Sequence, residues 1–136
     1  IAILYPMITN AQTTVIPDAN FEQALIDLGI ETGIPDGIIL TSKIDTVTSL
    51  NVGMKNISDM TGIEDFVSLE YFWCFLNNLT SIDVTNSPNL QVFIPANNNI
   101  ASLDLSNNLS LRILRCQSNN LSTLELSNQA ALNDLF

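Results

Sequence analysis

Three acidic side chains, Asp83, Asp104 and Glu125, recur at a spacing of 21 residues, and nowhere else do the carboxylates of this chain line up. If each stands on a neighbouring strand, about 4.8 Å from the next, they repel one another. Such a row reads as a solvated acidic edge, or more sharply as a shallow cation site or a contact for a basic partner. Catalysis has little else to work with. The chain has no histidine, so it lacks the usual general base at neutral pH and the commonest metal ligand, and Ser-His-Asp and Cys-His sites are excluded. No glycine-rich phosphate loop follows a strand, and no zinc spacing is present. The stretch around Gly33, Pro35 and Gly37 fails as a calcium loop. With Gly37 as the invariant glycine, Thr32 and Ile34 fall where acidic ligands are needed, and Lys43 falls where the closing glutamate belongs. The expectation is a non-enzyme with no cofactor and no metal.

The elements that hold these side chains follow from composition and period. The chain has 136 residues and a formal net charge of −10, from four basic and fourteen acidic residues. That length fits one domain with a modest core. The charge disfavours nucleic acid, whose phosphates it would repel, and an anionic membrane surface. There are 19 Leu, 16 Ile, 17 Asn and 12 Ser, nearly half the chain in four residue types, as expected of a repeat on one template.

The template is legible from Leu69 onward. The units LEYFWCFLNNLTSIDVTNSPN (69–89), LQVFIPANNNIASLDLSNNLS (90–110) and LRILRCQSNNLSTLELSNQAA (111–131) share a period of 21, and a partial unit covers 132–136. A divergent unit of 22 residues, VTSLNVGMKNISDMTGIEDFVS, covers 47–68. Leu69, Leu90, Leu111 and Leu132 hold the first position; Phe72, Phe93, Leu114 and Leu135 the fourth; Leu79, Ile100 and Leu121 the eleventh. The pattern LxxLxCxxNxL is the leucine-rich repeat signature. Each second half restates it, as in Leu79-x-x-Ile82-x-Val84 and Ile100-x-x-Leu103-x-Leu105. On these motifs the chain resembles the nested 21-residue class of bacterial leucine-rich repeats. With IPDANFEQAL at 16–25 ahead of the repeats, it is similar to secreted or surface proteins of Bacteroidota (Flavobacterium-like). The resemblance covers about residues 15–136. It implies surface adhesion, or binding of protein or glycan.

The expected fold is a leucine-rich repeat solenoid, mainly parallel β, with a short N-terminal helix and a second row of short strands or turns on the convex side. No unit can bury its own leucines, so stacking supplies the core. Alternation turns the fourth and sixth positions inward and the third, fifth and seventh outward. The outward rows are Tyr71-Trp73-Phe75, Val92-Ile94-Ala96 and Ile113-Arg115-Gln117. A contiguous apolar and aromatic patch marks an interaction site, here with Trp73 and Tyr71 as anchors and Arg115 at the rim. Asn77, Asn98 and Asn119 share one position as a structural ladder, each able to satisfy turn groups that have no strand partner. The first unit has Lys55 there, so that turn should be looser and nearer solvent. Cys74 and Cys116 share the inward sixth position two units apart, about 9.6 Å, beyond the roughly 7 Å reach of a disulfide. Pro95 lies between them and cannot donate to the sheet.

Residues 1–11 read as the remnant of a secretory signal peptide, with an apolar IAILYPMI run too short to span a bilayer. Residues 12–46 are expected to form a helical cap and connecting loop, and residues 47–136 the repeats. In the cap, Phe21, Leu25 and Leu28 share a helical face, with Asp18 as N-cap and Gly29 as stop. Thr61-Gly62-Ile63-Glu64 carries a capping-box pattern and predicts a short helical turn. The function expected is a non-catalytic extracellular module that binds protein or carbohydrate on its concave face, without a transmembrane segment. Its rivals are an architectural spacer in a larger secreted protein and an accessory domain of a secreted hydrolase.

Overall fold

A computed structural model describes residues 11–136. The proposed export remnant therefore lies, up to Asn10, outside the described residues. Strand β1 (Thr13–Val15) pairs antiparallel with β2 (Ile38–Leu40). Between them runs helix α1 (Ala19–Asp27). The Asp18 carboxylate caps it, its Oδ1 accepting the N–H groups of Asn20 at 2.9 Å and Phe21 at 3.1 Å. Gly29, at φ 74°, takes the left-handed residue that ends it. Phe21, Ala24 and Leu25 are buried, and the Phe21 ring lies 6.2 Å from that of Phe66 in the first coil. Leu28 departs from the expected face and stays 48% exposed. It is the C-cap, one residue past the end of the helix, with its N–H still bonded to the Ala24 carbonyl. Glu22 is buried instead, its carboxylate accepting Asp36 N–H at 3.0 Å and Gly37 N–H at 2.8 Å.

The repeats lay down one parallel sheet in chain order: β3 (Ser49–Asn51), β4 (Tyr71–Trp73), β5 (Val92–Ile94), β6 (Ile113–Leu114) and β7 (Asp134–Leu135). Leu50, Phe72, Phe93, Leu114 and Leu135 stand side by side across it. All but Leu135 are buried, and the Phe72 and Phe93 rings stack at 5.6 Å. Each such side chain stabilises the fold by about 1.5–3 kcal/mol through burial. The molecule is a leucine-rich repeat solenoid.

Two local expectations change, and Pro95 acts on the sheet as expected. The second half of each unit turns Val84 and Leu105 inward, but no strand forms there among the described residues. Its N–H groups close tight turns within the coil, Ser87 to the Val84 carbonyl and Asn108 to that of Leu105, both at 3.0 Å. The row of turns is thus present and the strands are not. At Thr61-Gly62-Ile63-Glu64 the turn is a single 310 turn, Ile63–Asp65. Its box is not closed, because the Thr61 hydroxyl donates to Asp59 at 2.6 Å. Only Glu64 reaches back, accepting Gly62 N–H at 2.7 Å. At Pro95 a rung is missing. Val52 and Cys74 donate along this column to Trp73 and Ile94, and the paired stretch shortens from three residues between β4 and β5 to two between β5 and β6.

Candidate binding face

The outward side chains of the parallel sheet form one face. Tyr71 is 37% exposed and Trp73 is half-buried. Alternation sets them on the same side of β4, and their rings stack with centroids 6.2 Å apart and planes 13° apart. Among the described residues neither the Tyr71 hydroxyl nor the Trp73 indole N–H is hydrogen-bonded. Phe75, half-buried, packs against Gly53. A Cβ at that glycine would stand 2.6 Å from the ring, so a side chain there would force the ring to move. Val92, Ile94 and Ile113 continue the face half-buried, and Gln117 is exposed. Ala96, expected outward, is 2% exposed, because a methyl group is too short to rise past its neighbours. Arg115 is exposed at the rim but not free. Its guanidinium pairs with Asp134 at 2.9 Å and lies 5.7 Å from the centre of the Phe136 ring.

Behind the face, asparagines tie each coil to the one before. The Asn77 amide oxygen accepts Lys55 N–H at 3.0 Å and Ile57 N–H at 3.1 Å. Its Nδ2 donates to the Val52 and Cys74 carbonyls. Asn98 bridges Leu79 N–H and the carbonyls of Cys74 and Pro95. Asn119 bridges Ile100 N–H and the carbonyls of Pro95 and Cys116. Lys55 is half-buried and so nearer solvent than Asn77, but its turn is not loose. Asn77 holds its backbone, and its ammonium pairs with Asp27 of α1 at 3.0 Å. A second ladder escaped the sequence reading: Ser87, Asn108 and Gln129, all buried. Ser87 donates to the Phe66 carbonyl, Asn108 to those of Val84 and Ser87, and Gln129 to that of Leu105. Its signal was the same period of 21, masked because the three residue types differ.

The acidic row caps turns. Asp83 accepts Thr85 N–H at 2.9 Å, Asp104 accepts Ser106 N–H at 3.0 Å, and Glu125 accepts Ser127 N–H at 2.8 Å. Hydrogen bonds from the Ser106 side chain and backbone hold the Asp104 carboxyl below its ordinary value, and those from Ser127 do the same for Glu125. Asp59 accepts Thr61 N–H in the same way in the first coil. Among the described residues no three acidic or thiol side chains gather to hold a metal ion, and no helix is long and apolar enough to cross a membrane. Cys74 and Cys116 are free and buried. Burial pushes the Cys74 thiol far above its ordinary value and raises that of Cys116 as well, so neither is poised as a nucleophile.

No family model matches this sequence, and no curated protein matches it significantly. Solved structures do match. The chain is similar to the functional domain of InlJ from Listeria monocytogenes, described as including a cysteine ladder, with a TM-score of 0.83 and 28% identity over 96% of this chain. It also superposes on internalin C2 of that organism (TM-score 0.77, 17% identity, 94% of this chain). A further match is internalin F (TM-score 0.71, 24% identity, 89% of this chain). The chain spans only 29%, 59% and 43% of those three chains, respectively. The last two likenesses concern the fold alone. Together they support a bacterial leucine-rich repeat protein of internalin-like fold.

Proposed function

We propose that this chain is a non-catalytic recognition module of an exported bacterial protein, which binds a protein or glycan through its concave sheet and so serves adhesion. One observation carries the reading: a stacked Tyr71–Trp73 pair at the surface of a parallel sheet, with neither polar tip hydrogen-bonded among the described residues. Stacked coils hold the pair at fixed spacing, so binding orders little that was mobile. The likeness to internalins supports a binding rather than a catalytic role. Export rests on reading residues 1–11 as a signal-peptide remnant, and a Bacteroidota source rests on IPDANFEQAL at 16–25. In this reading residues 12–46 cap the first coil and Arg115 closes the rim. A repeat used only as a spacer gains nothing from an exposed aromatic pair.

The test is Trp73→Ala, screened beside the wild type against immobilised oligosaccharides and extracellular-matrix proteins. Loss of a central aromatic anchor weakens binding by about tenfold or more, with circular dichroism and melting temperature retained. Binding to every probe unchanged by the substitution would overturn the proposal.

A further inference from the structure

After each of β3 to β6 the chain passes through a left-handed residue at one repeat position: Met54 (φ 58°), Leu76 (φ 52°), Asn97 (φ 56°) and Ser118 (φ 56°); the first coil has a second at Asn56 (φ 57°). These positions are equivalent, because Met54, Leu76 and Asn97 donate their N–H groups to Phe75, Ala96 and Gln117 of the next coil. A left-handed backbone crowds the Cβ of an L-residue, and only glycine and, to a lesser degree, asparagine and aspartate adopt it readily. The third coil takes the relaxed choice, Asn97. The first two place long apolar side chains there and do not recover the cost by burial, since Met54 is 66% and Leu76 51% exposed. Neither backbone preference nor core packing accounts for their type. Strain kept without a structural return is a signature of function.

Their position supplies the function. Met54 follows Gly53, on which the Phe75 ring rests, and Leu76 follows Phe75. Both residues therefore stand next along the chain to the Phe75–Gly53 contact that ends the apolar row Tyr71-Trp73-Phe75. The chemistry of the occupant follows from charge. The chain carries −10, and three of its four cations are already paired: Lys43 with Glu31, Lys55 with Asp27 and Arg115 with Asp134. Among the described residues only Arg112 stands outside an ion pair. A second copy of the chain, or an acidic partner, meets like charge. Methionine and leucine offer a sugar no hydrogen-bonding group. A peptide with apolar side chains between basic flanks suits both the strip and the net charge of the chain.

We propose that Met54 and Leu76 are binding residues: with Phe75 they receive the apolar side chains of an extended, basic peptide segment of a partner protein at the edge of the concave face. This rests on the concave face being a binding face. Trp73 is the only tryptophan, so its emission reports on this strip. The probe is a synthetic peptide with a leucine–phenylalanine core flanked by lysines. A glutamate-flanked counterpart and a neutral oligosaccharide serve as comparisons, with binding followed by Trp73 emission and calorimetry. The lysine peptide binds and shifts the emission, and its counterparts do not. Met54→Asn and Leu76→Asn each weaken it about tenfold, while their melting temperatures hold or rise because the strain is relieved.

Variants that bind as the wild type does, or that melt lower, overturn the inference; lower melting would make these side chains structural. If Trp73→Ala abolishes binding while Met54→Asn and Leu76→Asn keep it, the edge fails and the concave face stands. If Trp73→Ala also keeps it, both fail. Binding of the oligosaccharide alone, or no binding of the lysine peptide, overturns the peptide occupant.

Discussion

Asn98 is fully engaged. Its one side chain satisfies Leu79 N–H and the carbonyls of Cys74 and Pro95, all buried between two coils. An alanine there leaves Leu79 N–H without its partner, while the Cys74 and Pro95 carbonyls keep their bonds from Asn77 and Asn119. One unmet buried donor costs about 1–3 kcal/mol, so Asn98→Ala should lower unfolding free energy by about that amount in urea titration. Asn119 makes the same three kinds of bond but is half-buried, so water replaces part of what is lost. Asn119→Ala should cost clearly less, and equal costs would contradict this account of the ladder. The acidic residues act at the same scale. Asp83, Asp104 and Glu125 each serve a turn two residues ahead, which gives the row a local structural use before any partner is invoked.

At the scale of elements, the N-terminal helix is joined to the first coil by one carboxylate. Asp18 Oδ1 caps α1, while Oδ2 accepts the N–H groups of Ser58 at 2.8 Å and Asp59 at 3.0 Å and the Ser58 hydroxyl at 2.9 Å. Burial pushes the Asp18 carboxyl up, but the hydrogen bonds from Ser58, Phe21 and Asp59 together outweigh it and hold the group below its ordinary 3.8. A depressed folded value means that the unfolded chain takes up the proton first. The stabilisation is complete above the ordinary value and is lost as pH falls through the folded one. Melting temperature should therefore hold from neutrality to about pH 5 and fall below about pH 4. Asp18→Asn should start lower at pH 7 and show a shallower acid slope. A wild-type slope in that variant would assign the acid sensitivity to other carboxylates.

Across the whole molecule, stability is a sum over coils and their interfaces, because each unit touches only its neighbours. The sum is uneven. Leu79 and Ile100 are fully buried, whereas Leu121, Leu124, Leu126 and Leu132 are only partly buried. Pro95 removes a rung between β5 and β6. The coils before it should open as one cooperative unit, and those after it more readily. Amide exchange should then show greater protection at Phe72 and Cys74 than at Cys116 and Phe136, although Cys116 N–H is bonded at 2.7 Å. Uniform protection along the sheet would mean that Pro95 does not divide it.

What the sequence determined by itself is whatever recurs with the period. The parallel order of β3 to β7, the inward row from Leu50 to Leu114, the stacked asparagines and the side on which Tyr71 and Trp73 stand all follow from one 21-residue template and a two-residue alternation. The Asp18 cap was legible too, as a side chain serving neighbours along the chain. What only the tertiary structure decided is whatever depends on groups far apart in sequence with no shared period. β1 is three residues long and finds its partner across α1. Glu22 is buried because the Asp36–Gly37 backbone comes back to it. The second ladder joins serine, asparagine and glutamine, alike in position but not in type. The left-handed backbone at Met54 and Leu76 is invisible in residue types that ordinarily avoid it. A template fixes geometry by repetition, and its exceptions are settled only when the coils are stacked and each buried polar group must find its partner.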